Sequence, residues 1–188
     1  MSQPWVLVTG NDHKWHEAQR ILGVALERVR LDLPELQEES IAAVAREKAF
    51  AAWEQLKRPL IVEDAGIELS ALGGFPGPFI KWWERLGGLT SICRALDTAP
   101  TRQAFAVCAL GIATERGVHV VEGRVTGSIA KEPVGEHGFG WDSIFIPDGE
   151  TRTFAQMTAE EKDAQSHRRR AWEALRKIAG DPYLAPEG

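Results

Sequence analysis

Two apolar runs separated by a short turn set the tightest limit on how this chain can fold. RQAFAVCALGIAT (102–114) and VHVVEGRVTGSIA (118–130) are rich in strand-forming residues and meet at Arg116-Gly117, the pattern of two long antiparallel strands. A hairpin of that length needs neighbours to cover it, and the periodicities elsewhere say what they are. WVLVTG (5–10) reads as a short buried strand stopped by a glycine. NDHKWHEAQRIL (11–22) follows with helical spacing, Asn11 or Asp12 as N-cap and Trp15, Ala18 and Leu22 on one face. ALERVRLDL (25–33) alternates like an edge strand. SIAAVAREKAFAAWEQL (40–56) is a helix capped by Ser40, LIVED (60–64) a buried strand, IELSAL (67–72) its expected partner, and GGFPGP (73–78) a rigid turn. From IKWWERL to about Asp97 the pattern is helical with a break at Gly87-Gly88. Thr158 and Glu161 form a capping box in TAEEK, and Ser166 caps a last helix whose Ala171, Leu175 and Ile178 face inward. These elements predict an α/β fold, a mixed sheet flanked by helices, in one domain over residues 1–188.

The charge balance narrows the function. A net charge of −5 argues against a protein that coats nucleic acid, while leaving room for a local basic pocket. Hydrophobic residues at 44% and charged residues at 26% are those of a soluble globular chain. No apolar run approaches the roughly 20 residues that cross a bilayer, and MSQPWVLVTG lacks the basic and long apolar regions of a signal peptide. Cys93 and Cys108 stand far apart in no metal-ligand spacing and read as two free buried thiols. A soluble cytoplasmic protein is expected.

Five places carry residues that simple packing does not call for. In VLVTGNDHK a tight turn enters a helix N-terminus, whose free N–H groups suit a phosphate, with Lys14 in the first turn; a plain helix cap gives the same letters. Lys48 falls within the apolar stripe of Ile41, Val44, Ala45, Ala49 and Ala52, so it either snorkels or meets an anion. Glu63 and Asp64 end an apolar run; a strand would point them to opposite faces, as a solvated acidic pair or as oxygen ligands for Mg²⁺. Phe139 and Trp141 flank Gly140 beside Asp142, as core rings or as rings for a planar base. Lys162, His167, Arg168, Arg169 and Arg170 gather at a helix start; a solvated basic face accounts for some of them, but the dipole there disfavours positive charge and an anionic ligand would relieve it. His13 and His16, near Glu17, lack the further ligands a zinc site needs and read as solvated helix surface.

In order along the chain, VTGNDHK, VEDAGIELSALGGFPGPFIKWW, GFGWDSIF and EKDAQSHRRRA resemble the inosine triphosphate pyrophosphatase family, also called Ham1 or RdgB-like. The LGGFPGPFIKWW block is similar to its eukaryotic branch. The resemblance implies a long twisted mixed sheet with helices, two lobes around a central cleft, and a homodimer. It implies Mg²⁺-dependent hydrolysis of the inosine, deoxyinosine and xanthosine triphosphates (ITP, dITP, XTP) to monophosphate and pyrophosphate, which cleanses the nucleotide pool. By the same resemblance Thr9, Gly10, Asn11 and Lys14 hold the triphosphate, Lys48 reaches the phosphates, and Lys81 is a further ligand-contacting lysine. Glu35 and Asp64 bind the metal, and Asp64 is the general base. Phe139, Gly140 and Trp141 form the base-stacking segment, Asp142 helps read the base edge, and Lys162 contacts the ligand. Ser166, His167 and Arg168 match a signature in which His and Arg approach the purine 6-oxo group.

Ala65, Ser143 and Asp163 depart from the family's usual Ser or Thr, Pro, and Asn. Two other readings stay open at this point: a pyrophosphatase for another modified or pyrimidine triphosphate, and a nucleotide-binding module without turnover.

Overall fold

A computed structural model gives the structure of the protein for residues 6–34 and 36–179. The expected hairpin is its spine. Strands β5 (Gln103–Thr114) and β6 (Gly117–Ile129) pair antiparallel along their whole length, from Thr114 opposite Gly117 to Gln103 opposite Ser128. On one side of the hairpin lie β3 (Leu60–Leu69), β1 (Val6–Val8) and, at the edge, β2 (Glu27–Val29); on the other lies β7 (Phe145–Pro147). A two-residue β4 (Pro76–Gly77) pairs with the far half of β3. β1 runs parallel to β2 and β3 and the other pairs are antiparallel, so the sheet is mixed, as expected.

One expectation fails at β3. The strand does not end at Asp64: residues 67–69 of IELSAL continue it rather than pair with it, and Ser70–Leu72 form a short 3-10 turn. Glu63, Asp64, Ala65 and Gly66 pair in register with Leu110, Ala109, Cys108 and Val107 of β5. Pairing to a long neighbour overrides the local loop-like letters. Gly66 is needed for another reason: a Cβ there would run into the carbonyl of Gly77 in β4. The edge strand is also shorter than its alternating pattern.

The helices begin where the caps place them. The Asn11 side chain accepts from the Lys14 N–H at 3.2 Å to start α1 (Asp12–Leu22), and Ser40 accepts from Ala43 N–H at 3.1 Å to start α2 (Ile41–Leu56). Helix α3 (Ile80–Arg94) is interrupted at Gly88, whose φ of 74° suits glycine. Thr158 and Glu161 close their capping box on α4 (Ala159–Gln165) at 2.8 and 3.2 Å. Ser166 Oγ accepts from the Arg169 N–H at 3.1 Å at the start of α5 (His167–Ala179).

Strand alternation then sorts the core. One face of β5, with Val107 and Ala109, packs on Ile41 and Ala45 of α2. The opposite face, with Cys108, Leu110 and Ile112, meets Ala18 and Ile21 of α1 and Ala171, Trp172 and Leu175 of α5. Farther along that same face Ala104, Ala106, Val125 and Ile129 join Ile80, Ile92, Phe145 and Phe154 in a second core beneath α3. Burial of each such large apolar side chain is worth roughly 1.5–3 kcal/mol. A Cβ on Gly123 would strike the His167 carbonyl and the Ala171 nitrogen, so glycine in β6 lets the first turn of α5 sit directly on the sheet. Cys93 and Cys108 are free and buried, and burial pushes the Cys108 thiol well up. Among the described residues no helix is long and apolar enough to cross a membrane.

Candidate active site

A cavity of about 680 Å³ is lined by residues of β1, α1, α2, β3 and α3 and of the segments 139–142 and 167–168. At one end β1 runs into Thr9, Gly10 and Asn11 and the first turn of α1. There the Asn11 N–H donates to Thr9 Oγ1 at 3.1 Å, folding the turn tightly. Lys14 reaches across to β3, its Nζ 3.4 Å from the Glu63 carbonyl oxygen and 3.5 Å from Glu63 Oε1. Lys48 enters from α2 and Lys81 from the first turn of α3.

The two acids of β3 part as strand geometry requires. Asp64 points to the α2 side, where Lys48 Nζ donates to its Oδ1 at 2.6 Å. This answers the lysine on the apolar stripe: its anion is a carboxylate of the chain itself. Glu63 points to the α1–α5 side and is buried against Arg168, whose Nε and Nη2 donate to it at 2.9 and 2.8 Å. Nη1 of Arg168 donates to Glu17, also buried.

Lys162 completes the network. Its Nζ donates to Glu17 at 2.7 Å and to Asp142 at 2.6 Å, and Asp142 also accepts the Phe139 N–H at 2.8 Å. Two buried cations therefore share three buried carboxylates. This corrects the expectation that the basic helix start needs an anionic ligand. Glu63 and Glu17 neutralise Arg168, Glu17 and Asp142 neutralise Lys162, Arg169 pairs with Glu173, and Arg170 donates to the Arg124 carbonyl.

The titrations follow from these neighbours. Burial alone would raise Glu17, but the charges of Arg168 and Lys162 outweigh it and hold the carboxyl below its usual range. For Asp142 burial wins over Lys162 and the pKa is raised. Burial, then the charges of Arg168, Lys162 and Lys14, push His167 well below the usual imidazole value, so it is neutral. Both its ring nitrogens are buried without a hydrogen-bond partner among the described residues.

The aromatic end is less open than two free rings would be. Trp141 is 8% exposed and packs on Phe145 and His167, with ring centroids 6.0 and 5.0 Å away. Phe139 is half-buried and stacks on His13 at 4.9 Å and 16°, with Lys162 Nζ 4.9 Å from its centroid. Gly140, Asp142, His167 and Arg168 complete this end of the cavity. Lys162 instead borders a second cavity of about 370 Å³ with His13, His16 and Phe139. The two histidines are exposed, and no group of three or more metal-ligating side chains gathers among the described residues. Ser166 is fully buried and acts as a helix cap. Glu35, expected as a metal ligand, lies outside the described residues.

Of the three departures, Asp163 has a visible partner, accepting from Arg20 Nε at 2.8 Å. Three acids in or beside the site carry no weight in the motifs: Glu17, Asp32 and Glu84, the last two lining the main cavity. Glu17 shares its helix face with buried Ala18 and Ile21, so a carboxylate on an apolar stripe, the signal that exposes Lys48, marks it too.

Known proteins place this chain in a family. The chain is 44% identical over 174 residues to inosine triphosphate pyrophosphatase 2 of Trypanosoma cruzi, covering 90% of this chain and 89% of that one. It is 43% identical to a dITP/XTP pyrophosphatase of Methanopyrus kandleri, covering 89% and 92%. A solved HAM1 protein from Coxiella burnetii superposes with a TM-score of 0.81 at 26% identity, over 95% of this chain and all of that one. The sequence model of the Ham1 family matches residues 5–178, from the first strand to the last helix. With fold, motif order and relatives in agreement, the chain belongs to the Ham1 family.

Proposed function

We propose that this protein is a Mg²⁺-dependent nucleoside triphosphate pyrophosphatase that hydrolyses ITP, dITP and XTP to the monophosphate and pyrophosphate, and so clears deaminated purines from the cytoplasmic nucleotide pool. One observation carries the reading. A single cavity joins three lysines and a helix N-terminus at one end to rings and buried donors at the other, the two chemistries that a nucleotide presents. The printed names of the relatives, inosine triphosphate pyrophosphatase and dITP/XTP pyrophosphatase, support the substrate class.

The α1 N-terminus, with the N–H groups that follow Asn11, suits the terminal phosphates. Lys14, Lys48 and Lys81 stabilise the charge that develops as the bond to pyrophosphate breaks. Asp64 fits a metal as well as a base, because Lys48 occupies one of its oxygens and the other is left for a ligand. Mg²⁺ takes one or two carboxylates with waters and substrate phosphates, and Asp64 with Asp32 in the same cavity, or with Glu35, would supply them. When bound, the ion neutralises phosphate charge and makes water more acidic. Asp64 orients the attacking water towards the α-phosphorus and takes its proton.

At the other end Arg168 and His167 differ in what they can recognise. Neutral imidazole offers one donor and one acceptor and can adapt to either an oxo or an amino group. Arg168 only donates, and Glu63 and Glu17 fix its orientation. A 6-oxo purine satisfies that donor, whereas the adenine amine faces it with another donor and leaves it unpaired. A homodimer is part of the proposal. Phe75, Trp82 and Leu86 are 50%, 41% and 81% exposed around the start of α3 and supply apolar surface for it.

Pyrophosphate release with Mg²⁺ from inosine, xanthosine, guanosine, adenosine and deoxyuridine triphosphates tests the reading. Preferred release from the first two is expected. A pyrimidine winner, or no release from any, would overturn it.

A further inference from the structure

Glu84 is the charged group in the main cavity that the reaction leaves without work. It sits on α3 three residues after Lys81, hence one turn along the same helix face. It is half-buried, and among the described residues no hydrogen bond or ion pair holds it. Its Oε2 is the nearest heavy atom to where a Gly140 Cβ would stand, at 3.7 Å, so the carboxylate reaches from the lysine end of the cavity to the backbone between Phe139 and Trp141. Burial, with the negative charge of Asp142 nearby, raises its pKa, as for a carboxylate short of donors.

Accepting the nucleotide reading of this cavity, the position has one chemical meaning. The phosphates lie with the lysines and the base with the rings, so what lies between them is the sugar. A carboxylate there repels phosphate and accepts from hydroxyls. We infer that Glu84 is a sugar-binding residue, accepting hydrogen bonds from the ribose hydroxyls of the bound nucleotide.

The inference separates from the reading it rests on by comparing two nucleotides, ITP and 2′,3′-dideoxyinosine triphosphate, on wild type, Glu84→Gln and Glu84→Leu. A hydrogen bond to a charged acceptor is worth about 10- to 100-fold in affinity. The leucine variant should therefore raise KM for ITP by about that factor with kcat little changed, and leave KM for the dideoxy nucleotide unaltered. Wild type should itself bind the dideoxy compound more weakly by a similar factor. The glutamine variant, whose amide oxygen still accepts, should recover part of the loss on ITP only. Losses of equal size on both nucleotides, or no loss on either, overturn the inference while leaving the pyrophosphatase in place. If wild type turns over neither nucleotide, the cavity reading falls and this inference with it. dITP distinguishes the hydroxyls: a 3′ contact keeps its sensitivity to Glu84, and a 2′ contact loses it.

Discussion

Arg168 grips both oxygens of Glu63 through Nε and Nη2, at 2.9 and 2.8 Å, and both side chains are buried. The pair ties the first turn of α5 to the middle of β3. Its energy is easiest to see by removing one partner, because Arg168 would then keep only Glu17, and a buried charge stripped of a partner costs more than a matched pair gains. Glu63→Ala should destabilise the fold by about 3–5 kcal/mol, a fall in Tm of about 10 °C. Glu63→Gln keeps an acceptor and should lose less. Thermal unfolding followed by circular dichroism measures both, and an unchanged Tm for the alanine variant would refute the account.

With Asp64 as the proposed base, Asp64→Asn should separate chemistry from binding. Loss of a general base costs about 10²- to 10⁴-fold in kcat, while the lysines and the helix N-terminus remain to hold the nucleotide. Steady-state turnover beside calorimetric titration with ITP reads the two effects apart. Full kcat in the variant would remove Asp64 from its catalytic role.

Glu17 and Asp142 pull the acid dependence of stability in opposite directions. The Glu17 pKa is lowered on folding, so its contribution is present above the unfolded value and is lost as pH falls through the folded one. The Asp142 pKa is raised, so its contribution is present below the unfolded value and fades as pH rises through the folded one. Between pH 6 and 3, Glu17→Gln should flatten the acid decline of Tm and Asp142→Asn should steepen it. Parallel slopes in all three proteins would contradict these assignments.

His167 should stay neutral from pH 8 down to pH 5.5, because burial and three nearby cations oppose its charging. Its imidazole carbon resonance, followed by NMR, should be flat over that range. A midpoint near the ordinary histidine value would show that the site is wetter than the structure implies.

Much of this was legible in the letters, and for identifiable reasons. The hairpin, the caps at Ser40 and Thr158 and the break near Gly88 each depend on residues close in sequence. The opposed directions of Glu63 and Asp64 follow from strand periodicity alone. What escaped depends on distant partners. Asp64-Ala65-Gly66 has the look of a loop until β5 pairs with it. The basic start of α5 suggests a ligand until Glu17 and Glu63, more than 100 residues away, are folded against it. Lys48 calls for an anion by its place on the stripe, yet only the fold says that the anion is Asp64. Glu84 belongs to no motif and acquires meaning only from its approach to Gly140.

The division of labour along β3 makes this protein its own proofreader. Adjacent peptide units send one carboxylate to the Arg168 clamp and the next to Lys48 in the main cavity. A one-residue slip would exchange their faces and leave the reactive side holding the wrong acid. With Asp64 as the proposed base, a misaligned chain would be silenced as well as weakened, and turnover would certify that the strand has docked in register.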